Sequence, residues 1–295
     1  MEKIFFALSG NEKLATSLSK KCNAELGNVV IRQFPDGETY VKILSEVKEK
    51  QVFLVCTLHN PDSKILPLYY LAQTIKELGA ANICLIAPYL SYMRQDKHFS
   101  QGECVTAICF AKFLSSFLDE IITIDPHLHR IKSLSEIYNI KTYCLSSSFL
   151  ISKWIVENIK NPILIGPDSE SKQWVSHVAS LENIPFLILE KTRKGDNDVI
   201  VSVPQVDKYE GFTPVLIDDI ISSGRTMIET IKHLKSTKMN QPVCIAIHGI
   251  FANNSYADLL LAGAFEVITT NTIEHETNQI FTDNYISEII NNQII

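Results

Sequence analysis

Apolar positions along the chain follow two spacings, and the two alternate in a regular order. Short, nearly continuous apolar runs such as residues 51–57 and 243–250 predict buried strands. Residues 63–78 instead repeat apolar positions at the spacing of a helix with one buried face. Because strands and helices alternate in both halves of the chain, the pattern predicts an α/β fold with mainly parallel sheets flanked by helices.

The same pattern gives the extent of each element. It predicts strands at residues 4–8, 29–34, 40–43, 51–57, 82–87, 120–124, 162–165, 186–189, 199–203, 215–217, 243–250 and 266–270. It predicts helices at residues 12–22, 63–78, 105–117, 147–159, 170–181, 227–235 and 254–262, and a short one at the C-terminus. The repeated β-α-β order predicts two similar domains, residues 1–145 and 146–295. No low-complexity linker separates them, so we expect them to pack closely around a cleft.

The stretch PVLIDDIISSGRT, residues 214–226, carries the clearest chemistry. A short apolar strand leads to Asp218 and Asp219, and a loop of small residues then opens a helix. Such a loop offers backbone N–H groups, hydroxyls and the positive end of a helix dipole to phosphate. The two carboxylates would repel that phosphate unless they accept hydrogen bonds from a sugar diol or hold a divalent cation. A ribose phosphate suits both tasks, and a plain β-α turn with a serine cap is the alternative.

Four other polar segments follow predicted strands. FPDGE at 34–38 indicates a turn between two strands, with Phe34 beside two acids. Residues 88–97 contain Arg94 and Lys97, cations that suit a polyphosphate. DPHLHR at 125–130 and GPD at 166–168 each end a strand with polar groups, and the two histidines suit a metal or phosphate. Each segment also has a structural interpretation, as a hairpin arm, a solvated loop or a buried histidine.

Lysine and arginine occur together at 191–193, KTR, and a polar segment follows at 194–198. A cationic segment of this kind is typical of a lid that closes over phosphates. A hairpin turn between two strands is the alternative interpretation. The loop after residue 217 is not a Walker loop, because the GxxxxGK[ST] pattern is absent.

Composition narrows the function classes. The 295 residues are 46% hydrophobic and carry a net charge of −6, which is a poor match for nonspecific nucleic-acid binding. No apolar run approaches the roughly 18 residues that span a bilayer, and the first residues are too polar for a secretory signal, so we expect a cytoplasmic protein without a membrane partner. The seven cysteines form no CxxC pair and are predicted to be reduced core residues.

The order of these segments resembles one family. FPDGE, PYLSYMRQDK, DPHLH, GPD, KTR and DDIISSGRT follow one another as in ribose-phosphate pyrophosphokinases, the PRPP synthetases, over nearly the full length. Ordinary phosphoribosyltransferases share the last segment and lack the earlier set. RQDK, the nearby FSQGE and Ser222 are more similar to the archaeal-type branch than to the common bacterial one.

The resemblance implies two similar phosphoribosyltransferase-type, Rossmann-like domains with the active site between them. It implies transfer of the β,γ-diphosphoryl group of ATP to the 1-hydroxyl of ribose 5-phosphate, giving PRPP and AMP with Mg²⁺ as cofactor, in a homodimer or higher homo-oligomer. By the same resemblance, the ATP-binding residues are Phe34, Asp36, Glu38, Arg94, Gln95 and Asp96. The ribose 5-phosphate-binding residues are Asp218, Asp219, Ser222, Ser223, Gly224, Arg225 and Thr226. His127 and Asp168 match the metal ligands, and Lys191 and Arg193 match the catalytic cations.

Two positions depart from the family pattern. Family members often have Asp at the position of Ser222 and Gly at the position of Arg225, where an arginine disfavours a positive-φ turn or adds a phosphate contact. The run 169–171 also lacks the glycines frequent in the family. The alternatives to the enzyme are a non-catalytic regulatory subunit, which has no need of the catalytic cations, and a phosphoribosyltransferase that uses PRPP, which has no task for FPDGE and RQDK.

Overall fold

The computed structural model describes residues 1–166, 171–193, 199–202 and 206–293. The chain divides into two compact units. The first comprises residues 1–146 together with the C-terminal segment from residue 282, and the second comprises residues 147–281. None of the helices in these described ranges has the length and apolar run that crossing a bilayer requires.

The first unit begins with a strand and alternates strands with helices. Its elements up to residue 146 are β1 Lys3–Ala7, α1 Glu12–Lys21, β2 Glu25–Leu26, β3 Val29–Gln33, β4 Thr39–Ile43, β5 Gln51–Val55, α2 Asp62–Glu77, β6 Asn82–Ile86, α3 Thr106–Ser115, β7 Glu120–Ile124 and β8 Lys141–Leu145. Up to residue 146, the first unit is thus an α/β domain in which each α-helix lies between two strands along the chain.

The second unit repeats this alternation. Its elements are α4 Ser148–Asn158, β9 Pro162–Gly166, α5 Lys172–Leu181, β10 Phe186–Ile188, β11 Glu190–Arg193, β12 Val199–Ser202, β13 Thr213–Ile221, α6 Arg225–Leu234, β14 Val243–Gly249, α7 Ser255–Ala262, β15 Glu266–Thr270 and β16 Asn278–Ile280. The last helix, α8 Asp283–Asn292, returns to the first unit.

The two units have the same sheet topology. The first contains a six-stranded sheet of order β2-β1-β5-β6-β7-β8, and the second one of order β10-β9-β13-β14-β15-β16. All strand pairs within these two sheets are parallel. In each unit an antiparallel hairpin, β3–β4 or β11–β12, follows the second strand of the sheet. The predicted fold class, two similar α/β domains with mainly parallel sheets, is confirmed.

Burial on both faces explains the apolar runs of the central strands. Every residue of β5, β7 and β14 is buried, as expected for parallel strands covered by helices on both sides. In the first unit, Phe5 and Phe53 stack with ring centroids 4.7 Å apart. Because such strands read as continuous apolar segments, their positions were predicted to within two residues from the sequence.

The C-terminal helix α8 packs on α1. Ile286 and Ile290 are fully buried on its inner face. Lys21 Nζ donates to Asn284 Oδ1 at 2.6 Å, and Lys3 Nζ donates to the carbonyl oxygen of Ile290 at 3.2 Å. The end of the chain therefore completes the core of the first unit.

Several sequence predictions were wrong or incomplete. The short strands β2, β8, β11 and β16 were not predicted, because few or none of their residues form an apolar run. The predicted ends at residues 170 and 203 lie outside the described residues. Cys22, Cys56, Cys84 and Cys244 are buried as predicted, whereas Cys104, Cys109 and Cys144 are exposed and are not core residues.

The contrast between two leucines of α2 tests this description of the first core. Leu71 is fully buried and Leu66 is 52% exposed. We expect Leu71→Ala to lower the free energy of unfolding by roughly 2–5 kcal/mol, because it leaves a cavity in the core. Leu66→Ala, the same change on the same helix, should cost less than about 1 kcal/mol. Chemical denaturation measures both, and equal losses would contradict the assigned burial.

Candidate active site

In the first unit, two predicted segments leave the same edge of the sheet. Strands β6 and β7 are parallel neighbours, so residues 87–105 and 125–133, which follow them, start side by side. An ion pair ties the two segments together. Arg130 Nη1 lies 2.9 Å from Asp96 Oδ1, and the Arg130 backbone N–H donates to Asp96 Oδ2 at 3.2 Å. This ion pair therefore connects the loop after β6, which contains RQDK, to the loop after β7, which contains DPHLH.

The carboxylate of Asp96 is enclosed by this contact. Its side chain is 4% exposed, while that of Arg130 is 50% exposed. Burial raises the pKa of Asp96, but the hydrogen bonds from the backbone and guanidinium of Arg130 outweigh it, and the pKa lies below its ordinary value. Asp96 is therefore ionised at neutral pH and acts in this structure as a brace between two loops.

The residues beside Asp96 are more open. Arg94 is exposed and has no ion-pair partner in the described ranges, so its guanidinium is available to an anion. The backbone of Gln95 is fixed, since its carbonyl oxygen accepts from the Ala107 N–H at 3.3 Å, at the start of α3. Lys97 Nζ lies 5.2 Å from the ring centroid of Phe99, and the Arg130 guanidinium carbon lies 5.7 Å from the same centroid. This loop therefore presents cations around an exposed aromatic ring.

The FPDGE segment forms the turn of the β3–β4 hairpin. The Phe34 N–H donates to the Glu38 carbonyl oxygen at 2.8 Å, and the Glu38 N–H donates to Asp36 Oδ1 at 3.3 Å. Gly37 has φ of +90°, a conformation that other residues rarely adopt. Phe34 is 41% exposed, although it is a large apolar side chain. The turn thus holds an aromatic ring in solvent beside two acids.

Sequence reasoning missed Arg32. Its guanidinium carbon lies 4.7 Å from the Phe34 ring centroid and 4.3 Å from that of Tyr40. The two rings are 5.9 Å apart in an edge-to-face arrangement. Arg32 and Tyr40 are direct partners in the hairpin. The sequence does contain a signal for this stack. Arg32 precedes the aromatic residue Phe34 by two positions, and the partner strand of the predicted hairpin contributes a second aromatic residue, Tyr40.

His127 lies in the segment after β7. It is half-buried, and its ring centroid is 4.2 Å from that of His129, at an interplanar angle of 73°. Asp125, two residues before His127, has φ of +37°, which is uncommon for a residue other than glycine. The chain therefore turns sharply at Asp125 and places the two imidazoles together.

Ligands of open α/β sheets bind where the strand order reverses, and in the first unit this point lies between β1 and β5. Asn11, which is 3% exposed, fills it. Its Oδ1 accepts from the Thr57 N–H at 2.9 Å, and its Nδ2 donates to the carbonyl oxygens of Leu8 and Ser9. The polar backbone groups at this point are thus paired within the protein.

A second pair lies beside Asn11. Lys64 Nζ donates to the Thr57 carbonyl oxygen at 2.8 Å and lies 3.1 Å from His59 Nδ1. Burial and the charge of Lys64 lower the pKa of His59 to about 4. His59 is therefore neutral at physiological pH and accepts from the lysine.

In the second unit the corresponding point lies between β9 and β13. Strand β9 ends at Gly166, where a Cβ atom would lie 2.6 Å from Ile188 Cδ1, so a larger residue would displace that side chain. Strand β13 continues to Ile221, and Asp218 and Asp219 therefore lie inside it; the prediction that the strand ends before them is wrong. Both carboxylates are half-buried, and Asp218 Oδ1 accepts from the Asp219 N–H at 3.0 Å.

The loop after β13 opens helix α6. The Ser222 carbonyl oxygen accepts from the Ala252 N–H at 3.0 Å and from the Ser255 hydroxyl at 2.7 Å, which fixes the loop against α7. Gly224 has φ of +64°, and Arg225 is the first residue of the helix. The positive φ thus falls on glycine, so arginine at 225 causes no backbone strain there. The first amides of α6 have no intrahelical acceptor and point toward the loop.

Three predicted residues are described only in part or not at all. Lys191 and Arg193 lie in β11, which pairs antiparallel with β12, and the structure describes their backbone alone. Asp168 and the predicted lid at 194–198 lie outside the described residues. Within the described ranges, no three His, Cys, Asp or Glu side chains come together as a metal-binding group.

The structure has two parallel sheets of equal strand order. In the second, paired aspartates are followed by a loop and by a helix with glycine at its N-cap. These features define an α/β protein of the phosphoribosyltransferase type. Residues 3–117 match the N-terminal domain of ribose phosphate pyrophosphokinase, and residues 133–284 match the phosphoribosyl transferase domain. This chain belongs to the ribose-phosphate pyrophosphokinase family.

Relatives of known name agree with this assignment over nearly the full length. The ribose-phosphate pyrophosphokinase of Methanosarcina mazei is 30% identical over 95% of this chain and 92% of its own. That of Methanobrevibacter smithii is 28% identical over 96% and 98%. The crystal structure of phosphoribosylpyrophosphate synthetase from Mycobacterium smegmatis has a TM-score of 0.87 and 23% identity and covers 98% of both chains, which shows the shared fold.

The brace between Asp96 and Arg130 is testable by pH. We expect Asp96→Asn to lower the free energy of unfolding at neutral pH by roughly 1 kcal/mol, because it removes one charge of the pair. The folded-state pKa of Asp96 is depressed, so its contribution is present above the ordinary carboxyl pKa and is lost as pH falls through the folded value. The difference between variant and parent should therefore shrink in acid.

Glu136→Gln is the matched control, since it neutralises an exposed carboxylate of the same unit. Denaturation curves at several pH values, together with hydrogen exchange of residues 94–103, measure the effect. A difference that stays constant from neutral to strongly acidic pH would show that the charge of Asp96 does not brace the loops.

Proposed function

We propose that this chain is a ribose-phosphate diphosphokinase. It transfers the β,γ-diphosphoryl group of ATP to the 1-hydroxyl of ribose 5-phosphate and releases PRPP and AMP. The observation that carries the proposal is the match of residues 3–117 to the N-terminal domain of ribose phosphate pyrophosphokinase. A phosphoribosyltransferase that uses PRPP accounts only for the match at 133–284.

Ribose 5-phosphate binds at the carboxyl edge of the second unit. Asp218 and Asp219 are half-buried at the point where the strand order reverses, and their carboxylates accept hydrogen bonds from the sugar hydroxyls. The 5-phosphate lies against the start of α6, where backbone amides and the helix dipole favour an anion. Residues Ser222, Ser223, Gly224, Arg225 and Thr226 form this cradle.

The first unit supplies the nucleotide site. Phe34, 41% exposed, stacks on the adenine, and Asp36 and Glu38 accept hydrogen bonds from its polar edge. The exposed guanidinium of Arg94 and the neighbouring Gln95 contact the phosphates. Asp96 belongs to the same site and keeps the loop in place through Arg130.

The carboxylate of the proposed donor set fits magnesium. Mg²⁺ prefers oxygen ligands, binds proteins through one or two carboxylates and fills its remaining positions with waters and substrate phosphates. Asp168 offers such a carboxylate, and His127, in the segment after β7, is the second protein ligand that the family resemblance implies. When bound, the ion neutralises charge on the ATP phosphates.

In the transfer step the 1-hydroxyl oxygen forms a bond to the β-phosphorus while the bond from that phosphorus to the α-phosphate oxygen breaks. Negative charge increases on the leaving AMP, and Lys191 and Arg193 stabilise it. Asp218 and Asp219 hold the sugar so that its 1-hydroxyl is in line with the leaving group. Positioning and charge stabilisation are therefore the main tasks of the protein.

The proposal includes the organisation of the molecule. Residues 1–145 carry the ATP-binding segments and residues 146–295 carry the ribose 5-phosphate loop. By the family resemblance, the chain assembles as a homodimer or a higher homo-oligomer, and a neighbouring copy covers the exposed Phe34 ring. The enzyme acts in the cytoplasm, without nucleic acid or membrane.

Formation of AMP tests the proposed reaction. We expect the protein to produce AMP from ATP and Mg²⁺ only when ribose 5-phosphate is present. Lys191→Ala should lower turnover roughly a hundredfold to a thousandfold, since it removes one group that stabilises the leaving phosphate. Chromatography of the nucleotides measures both results.

Lys238→Ala is the control for loss of a lysine, because Lys238 is exposed in the same unit and forms an ion pair with Glu210, at 3.5 Å. It should leave turnover unchanged. Absence of sugar-dependent AMP would contradict the proposed reaction, and near-normal turnover of Lys191→Ala would remove that residue from the mechanism.

The stack on Arg32 generates a separate prediction. Because the guanidinium orients Phe34 and Tyr40, Arg32→Met should raise KM for ATP by about threefold to tenfold, as expected from a loss of roughly 1 kcal/mol. The value of kcat and the KM for ribose 5-phosphate should not change. Steady-state kinetics with each substrate varied separately measures the split.

Two further variants complete this test. Arg32→Lys keeps the charge and should restore part of the affinity for ATP. Lys42→Met removes an exposed cation from the same hairpin and should have no effect. If Arg32→Met lowers kcat and leaves KM for ATP unchanged, Arg32 does not position the adenine-binding turn.

A further inference from the structure

Two exposed cysteines of the first unit form a close pair. The Sγ atoms of Cys104 and Cys109 are 3.4 Å apart, and both side chains are accessible to solvent. Cys144 is also exposed, but it is not part of this pair. The pair lies at the end of the nucleotide-binding loop and was not singled out by the sequence, because a spacing of five residues is not a recognised thiol motif.

The geometry is close to that of a disulfide. A disulfide has an S–S length of about 2.0 Å, so the two sulfur atoms need to approach by roughly 1.4 Å. Cys104 lies in the loop before α3, and Cys109 lies in the first turns of that helix. Gly102, two residues before Cys104, has φ of +88° and open space at its Cβ position. Val105, on the other side of Cys104, has a non-helical backbone with φ of −84° and ψ of 85°. Combined small rotations at Gly102 and Val105 move Cys104 without displacing the helix.

A reagent can reach the pair from one side. Cys109 lines an open, mainly apolar cleft of about 420 Å³ between α2 and α3, with Leu66 and Phe110 among the other lining residues. The polar groups of this cleft include the Tyr92 hydroxyl, which donates to the Asp62 carboxylate. The cleft therefore has room for a small molecule beside an accessible thiol.

We propose that Cys104 and Cys109 form a dithiol modification site that a low-molecular-weight disulfide converts to an intramolecular disulfide. One thiolate attacks a sulfur of the small disulfide, which forms a mixed disulfide and releases one small thiol. The second cysteine then attacks the protein sulfur of the mixed disulfide and releases the second small thiol. Two protein thiols are oxidised, one small disulfide is reduced to two thiols, and the two thiol protons pass to these products.

The disulfide restrains the nucleotide-binding loop. Glu103, next to Cys104, accepts from the Phe99 and Ser100 N–H groups at 2.7 and 3.0 Å and so closes the loop. At the other end of the loop, the Gln95 carbonyl oxygen accepts a hydrogen bond from the Ala107 N–H at the start of α3. A covalent link from Cys104 to α3 fixes both ends of the loop to one helix. This consequence for ATP rests on the proposed function, whereas the disulfide itself does not.

The first experiment detects the bond directly. The full-length protein is incubated with oxidised glutathione, its remaining thiols are alkylated, and its peptides are analysed by mass spectrometry. We expect the parent to form a Cys104–Cys109 disulfide with no glutathione retained on either cysteine. Cys104→Ser and Cys109→Ser should each retain one glutathione on the remaining partner, while Cys144→Ser should behave as the parent. Mixed disulfides alone, or no reaction at the pair, would overturn the site.

The second experiment measures the effect on ATP. The oxidised parent should show a several-fold higher KM for ATP than the reduced parent, reversed by dithiothreitol and absent in both serine variants. An unchanged KM in fully oxidised protein would overturn the coupling to the loop. Because mass spectrometry does not depend on turnover, failure of the proposed reaction and failure of the dithiol site give different results.

Discussion

The parallel pairing of β13 with both β9 and β14 is the constraint on which the second unit depends. Parallel strands end at one edge, so the pairing places Gly166 and the two aspartates of β13 beside each other although more than fifty residues separate them. The right-handed crossover between such strands requires helices on the faces of the sheet. A ligand can therefore reach the strands only at their ends, and the small residues after β13 are located there.

The two units use the same topology in different ways. In the first unit, the buried side chain of Asn11 fills the point where the strand order reverses and pairs the backbone of Thr57. In the second unit, the half-buried carboxylates of Asp218 and Asp219 lie at that point, and helix α6, with Gly224 at its N-cap, follows. Asn11 pairs with the backbone around it, whereas the second unit has two negatively charged side chains at the same position. Two sheets of equal strand order thus differ in the residues at their strand ends.

In the first unit, the polar groups singled out above lie on the loops after β6 and β7 and on the β3–β4 hairpin. Arg130 fixes the loop of Asp96 by a charged hydrogen bond between a half-exposed guanidinium and a carboxylate that is itself covered from solvent. Arg32 similarly contacts the rings of Phe34 and Tyr40 on the β3–β4 hairpin, which is not part of the six-stranded sheet. In both cases an arginine orders a segment that has few apolar contacts of its own.

The fold class and most of the elements could be predicted from the amino-acid sequence. Buried parallel strands such as β5 and β14 are continuous apolar runs, and amphipathic helices have a distinct spacing, so both are visible without a partner. The sequence also located the polar segments at strand ends, since those segments interrupt the apolar pattern. Edge strands such as β8 and the full length of β13 were missed, because their residues are polar or partly exposed and only pairing makes them strands.

Which polar side chains contact one another could not be predicted from the sequence and depends on the folded arrangement of the loops. The contact between Asp96 and Arg130 and the short distance between Cys104 and Cys109 depend on how loops fold back on a helix or on a neighbouring strand. Periodicity reports the face on which a residue lies but not the distance between two loops. Hydrogen bonds and thiol chemistry require atoms within a few ångströms, and that distance is fixed by the packing of segments far apart in the sequence.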